Sequence, residues 1–167
     1  MSARDEGGLA RARWLDQRQR ELLPVEYFHV VFTIPPELNP LVFHNQRLLY
    51  DWLFRVSMDV RSTIGRDPRR LGAETGFFGI LHTWGQNLLF HPHIHYVVPG
   101  GGLGPDHDRW IAWRPGFFLP VRVLSALFCR CFLNALEKLF AHGQLQFFGE
   151  QEPLREPEAF RRYLDPL

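Results

Sequence analysis

The segment "NLLFHPHIHYVVPGG", Asn87–Gly101, decides how the rest of the chain is read. His91, His93 and His95 stand at alternate positions among large apolar neighbours, and Ile94, Tyr96, Val97 and Val98 give the segment the character of a strand. In a strand, residues two apart project from the same face. His93 and His95 therefore lie side by side, roughly 6–7 Å apart, with Ile94 and Tyr96 on the opposite face. A lone histidine among apolar residues is usually a satisfied core group. Two or three aligned on one strand shift that reading, because every buried imidazole needs partners for its ring nitrogens, and two on one strand can both reach one metal ion.

Such a site needs a third ligand, and two residues compete for the role. Gln86 lies seven residues before His93, and a hairpin closing near Leu88 to Phe90 would bring it beside the pair. Its amide oxygen would make a mixed nitrogen and oxygen site suited to a hard or borderline divalent ion. His91 shares the face of the pair, and three histidines would favour zinc. Pro92 bends or ends the strand next to His91, which weakens its alignment. His82 belongs to the preceding strand and reads as an ordinary histidine or as an outer support for the ligands. His29, His44, His107 and His142 are expected to stand apart from the cluster.

Outward from this segment, "TGFFGILHTWG" (Thr75–Gly85) reads as a strand, and only five residues separate it from "HPHIHYVVPG", so the two form a hairpin. "YFHVVFTIPP" (Tyr27–Pro36) is a third strand, stopped by two prolines. Leu49, Leu53, Val56, Val60 and Ile64 recur at spacings of three and four, which predicts one helix from about Pro40 to Ile64. Leu124, Leu127, Phe128, Cys131, Ala135 and Leu139 predict another, ending near Gly143. Leu9–Leu23 reads as helical. "PGGGLGPDHD" reads as a turn with "RWIAW" as a short strand beyond it, "QFFGE" is ambiguous, and "EPEAFRRYLDPL" makes a last helical turn or two. The order strand, helix, hairpin, helix implies a single α+β domain over residues 1–167, with a mainly antiparallel sheet and helices packed on it.

The bulk composition sets outer limits. A 46% hydrophobic content excludes disorder, and a formal charge of +1 points by itself to neither a nucleic-acid nor a membrane partner. Arg61, Arg66, Arg69 and Arg70 read as a solvated basic face. Cys129 and Cys131, two apart on a helix, point about 200° from each other, which argues against a disulfide or a shared metal. No apolar run reaches the ~20 residues a membrane span needs, so a cytoplasmic protein is expected.

The strand "FHVVFTIPP", the tract "LHTWGQNLLFHPHIHYVVPGGGL" and the helix followed by "LQFFGE" resemble the rolling-circle insertion-sequence transposases. These belong to the histidine-hydrophobic-histidine (HUH) group of single-strand endonucleases, and the similarity runs from about Gly8 to the C-terminus. The resemblance implies a ferredoxin-like palm with an antiparallel central sheet. It implies that His93 and His95 are the metal-binding pair and Gln86 the third ligand, holding magnesium or manganese, with single-stranded DNA at transposon ends as the partner. In the family a tyrosine on a downstream helix attacks the scissile phosphate, leaving a 5′-phosphotyrosine link and a free 3′-hydroxyl. Neither the family's cysteine-rich zinc module nor its tyrosine motif has a match here. Tyr163 is a weak stand-in for the nucleophile and Tyr96 faces away from the pair, so a fragment truncated at both ends and inactive alone is expected.

Two other readings compete. A small zinc hydrolase or cupin-like enzyme using His91, His93 and His95 would need a carboxylate soon after the pair, but "YVVPGGGLG" follows and no acid comes before Asp106. A catalytically silent DNA-binding module would accord with the missing tyrosine.

Overall fold

The computed structural model describes residues 12–14, 16–85, 88–114 and 121–167. Residues 12–14 and 16–21 are helical (α1). They are followed by β1 (Tyr27–Thr33), a 3-10 turn (Pro36–Leu38), α2 (Asn39–His44), α3 (Gln46–Arg66), β2 (Phe78–Trp84) and β3 (Phe90–Pro99). A short ribbon of β4 (Gly101–Leu103) and β5 (Trp110–Ala112) comes next, then α4 (Val121–Ala141), a 3-10 segment (Gly149–Arg155) and α5 (Pro157–Leu164). This is the α+β arrangement read from the sequence.

The histidine-bearing β3 is the central strand, antiparallel to β1 on one side and to β2 on the other. Its inward residues are completely enclosed: Ile94 and Tyr96 are 0% exposed and Val98 1%. With Phe32 of β1 they meet the apolar stripes of α3 (Leu49, Leu53, Val56, Val60) and α4 (Leu124, Phe128, Phe132, Leu136) in one cluster. Phe32 joins the layers, its ring 5.0 Å from that of Phe128 and edge-on to Tyr96 at 5.8 Å. Full burial of each such side chain contributes about 1.5–3 kcal/mol. The Tyr96 hydroxyl would be costly at that depth without a partner, and it finds Ser57 Oγ of α3 at 2.7 Å.

Gly79 of β2 lies against the Tyr96 ring. A Cβ there would sit 2.8 Å from Tyr96 Cδ1 and closer still to Cε1, so only glycine lets β2 approach the central strand at this point. Gly143 ends α4 with φ +63°, its N–H donating to the Phe140 carbonyl, as a left-handed C-terminal glycine does.

Two expectations need correction. The single helix from Pro40 to Ile64 is broken at Asn45, where φ is −126°. The Asn45 amide donates to the carbonyls of Leu41 (2.9 Å) and Gln146 (2.8 Å), and its side-chain oxygen accepts the Gln146 N–H. The side chain thus competes with the helical backbone and ties this corner to the segment after α4. Arg61 is no part of a solvated face: it is 2% exposed, donates to the backbone carbonyl and hydroxyl of Thr75, and lies 3.6 Å from the Phe77 ring centroid. Burial lowers its pKa to about 10.

Candidate metal centre

The outward face of the sheet is unusual for a solvated surface. Its positions are Tyr27, His29, Val31 and Thr33 on β1, Phe78, Ile80, His82 and Trp84 on β2, and His91, His93, His95 and Val97 on β3. Not one is Asp, Glu, Lys or Arg, where an antiparallel sheet with one wet face normally carries polar side chains. Phe78, Ile80 and Trp84 are 60%, 47% and 57% exposed.

The pairing register gathers the histidines. His93 faces Thr33 on one side and His82 on the other, and His95 faces Val31 and Ile80. His82 thus sits directly opposite one member of the pair and diagonal to the second. Its ring centroid is 4.4 Å from that of His95 and 5.4 Å from that of His93, while His93 and His95 are 4.8 Å apart. One nitrogen from each of the three lies within 4.8 Å of the others, which makes a triad able to hold a metal ion. At that outer limit a central ion would be about 2.8 Å from each donor, and small ring movements would close this to the ~2.0–2.1 Å of a zinc–imidazole bond.

The hydrogen bonds behind the rings bear on which nitrogen is free. His93 Nδ1 lies 2.6 Å from the His91 carbonyl, and a carbonyl only accepts, so Nδ1 carries the proton and Nε2 the lone pair. His95 Nδ1 lies 2.7 Å from His29 Nε2. Burial, followed by the neighbouring imidazoles of His82, His93 and His29, lowers the His95 pKa and favours its neutral, ligating form. Three imidazole nitrogens suit a borderline transition ion better than magnesium, which prefers oxygen.

His91 is on the same face but outside the triad, its Nε2 2.8 Å from Thr33 Oγ1. Gln86 lies outside the described residues. Local reading missed two histidines. His82 was missed because the pairing shifts between Trp84, opposite Phe90, and His82, opposite His93, so the turn end of the hairpin does not announce its partner. His29 comes from a strand 66 residues away from His95, and no local signal announces it. The expectation that it stands apart is corrected.

The tyrosines lie elsewhere. The Tyr96 side chain is on the buried face. Tyr163 donates from its hydroxyl to the Glu37 carbonyl at 2.5 Å, and burial, with Glu37 nearby, raises its pKa to about 12. Tyr50 packs against the core from α3. Tyr27 shares the histidine face but stands four residues from Val31, the neighbour of His95, roughly 13 Å along β1, with its hydroxyl accepting the Leu23 N–H. Cys129 and Cys131 are both free, and Cys129 Sγ donates to the Leu167 carbonyl at 3.3 Å. Among the described residues the triad is the one group able to hold a metal, and it includes no carboxylate, which leaves the zinc-hydrolase reading without its base. No helix among them is long and apolar enough to cross a membrane.

Comparison with known proteins identifies the family. The chain is 60% identical over 159 residues to "Putative transposase y4qJ" of Sinorhizobium fredii, covering 95% of this chain and 40% of that protein. It is 40% identical over 108 residues to "Transposase for insertion sequence element IS801" of Pseudomonas savastanoi pv. phaseolicola, covering 65% of this chain and 24% of that one. The chain therefore spans well under half the length of these relatives. No solved structure matches it. A family model described as "Putative transposase" (Y2_Tnp) matches residues 76–167, more than half of the chain and the whole of the β2–β3 hairpin. The chain belongs to this transposase family.

Proposed function

We propose that this chain is the metal-binding part of a transposase that cuts and rejoins single-stranded DNA at transposon ends in the cytoplasm. The observation that carries this reading is the triad of His82, His93 and His95, gathered from two adjacent strands on an accessible face. When bound, manganese or magnesium supplies Lewis-acid polarisation of the scissile phosphate. The all-nitrogen donor set favours manganese of the two. The chain's own residues hold and orient that site: the central strand fixes His93 and His95, and the hairpin register sets His82 against them.

The uncharged face around the triad supports a single strand rather than a duplex. Exposed Trp84 and Phe78 stand on either side of His82 along β2, and aromatic side chains at such positions stack on unpaired bases, each worth about 1–3 kcal/mol. The nucleophile is not among the chain's four tyrosines, on this reading, and comes from outside these 167 residues. Manganese should tighten binding of a fluorescent single-stranded transposon-end oligonucleotide, measured by anisotropy, in wild type but not in His93→Ala. Binding should weaken with salt as phosphate contacts release counterions, and no covalent adduct should form. Equal manganese effects in wild type and variant, or equal affinity for the duplex, would overturn the proposal.

A further inference from the structure

His29 lies outside the triad, yet it touches it. Its Nε2 is 2.7 Å from His95 Nδ1, the two ring planes are 13° from parallel, and their centroids are 4.9 Å apart. Two face-stacked rings at that separation could not bring ring nitrogens so close. The numbers instead match two rings lying edge to edge in nearly one plane, with the separation made up of a hydrogen bond and two ring radii. That is the geometry of an in-line N–H···N bond, whose single proton sits on one partner or the other.

The direction of this bond decides what His95 can do. If His29 donated, His95 would accept at Nδ1, and in its neutral form the proton would be on Nε2, leaving no lone pair for the cluster. If His95 donates, its Nε2 lone pair is free. We infer that His29 is a positioning residue: its Nε2 accepts the Nδ1–H of His95 and so holds His95 in the tautomer that ligates through Nε2. This inference rests on the metal reading proposed above for its purpose, but not for its test. His93 has the same device in another form, with the His91 backbone carbonyl as acceptor. Metal-binding histidines commonly donate their second ring N–H to a carbonyl, carboxylate or water. Here β1 supplies an imidazole, because the positions beside His95 on the neighbouring strands are Val31 and Ile80, which have no acceptor in their side chains.

His29 is exposed on the solvent side of β1, so replacing it leaves the core intact. Nitrogen-15 NMR of histidine-labelled, metal-free protein reads the tautomer directly. Wild type should show His95 protonated at Nδ1. His29→Phe, which keeps a planar ring without an acceptor, should lose that bias, and His29→Gln, whose amide oxygen accepts, should restore it. Manganese affinity should fall on the order of 10- to 100-fold in His29→Phe and recover in His29→Gln. A wild-type His95 protonated at Nε2, or a tautomer unchanged in His29→Phe, would overturn the assignment. If wild type shows the expected tautomer and manganese binds neither wild type nor variant, the metal reading fails while the role of His29 in setting the tautomer stands.

Discussion

Replacing His82 with alanine separates the geometry found here from its rivals. His82 is the one donor of the triad that comes from β2, and its side chain is exposed, so removing it leaves the core and the β3 pair in place. Structural zinc sites with four ligands bind with about 10–16 kcal/mol, or roughly 2.5–4 kcal/mol per ligand. Manganese binds more weakly along the divalent series, so about 2 kcal/mol is a fair figure for one imidazole of three. That predicts a loss of about 30-fold in manganese affinity for His82→Ala, read by titration calorimetry. His91→Ala should stay within about threefold on the same scale. Its ring is occupied with Thr33, and the group that steadies His93 is its backbone carbonyl, which alanine retains. The reasoning is refuted if His82→Ala binds as wild type does while Gln86→Ala loses affinity. The third ligand would then be the amide that the family resemblance implies.

Three further outcomes follow from the same structure. Trp84→Ala should weaken single-strand binding by about 1–3 kcal/mol while leaving manganese affinity intact, and unchanged anisotropy titrations would remove Trp84 from the DNA path. Gly79→Ala should cost about 1–3 kcal/mol in urea unfolding, because the buried Tyr96 ring is anchored to Ser57 and cannot swing away from the new Cβ; an unshifted midpoint would contradict that packing. Tyr163→Phe should cost about 1 kcal/mol at pH 8 through loss of its bond to Glu37. The Tyr163 pKa is raised in the folded chain, so its stabilisation is present below the ordinary value of 10 and lost as pH rises towards about 12. The gap between wild type and Tyr163→Phe should therefore narrow from pH 8 to pH 11, and a constant gap would show that the hydroxyl does not titrate late.

The parts of this fold legible in the sequence are those set by local periodicity. The alternation through His93, Ile94, His95 and Tyr96 fixes a strand and its two faces, and the stripes of α3 and α4 fix two amphipathic helices. What escaped depends on partners distant in sequence. Asn45 breaks a helix because Gln146, 101 residues away, offers it a backbone amide and a carbonyl. Arg61 is buried because Thr75 and Phe77 accept its charge, which no run of arginines could announce. His82 was one register choice away from being read correctly. The turn after Gly85 has a left-handed Leu88 (φ 59°), and the pairing is irregular between His82 and Trp84, so counting back from His93 does not settle its partner.

The core fixes the histidine triad through the pleat of β3. A slip of one residue against β1 and β2 would turn Ile94 and Tyr96 to solvent and carry His93 and His95 into the apolar layer against α3 and α4. Such a slip would forfeit several buried side chains at about 1.5–3 kcal/mol each and would bury imidazoles without partners. The Tyr96–Ser57 bond adds a polar pin that only one register satisfies. The triad therefore does not need to be held by the metal: the packing beneath it already selects the register in which His82, His93 and His95 meet. Metal binding should accordingly add little to the order of the sheet, and its cost in ordering should fall mainly on the imidazole rings.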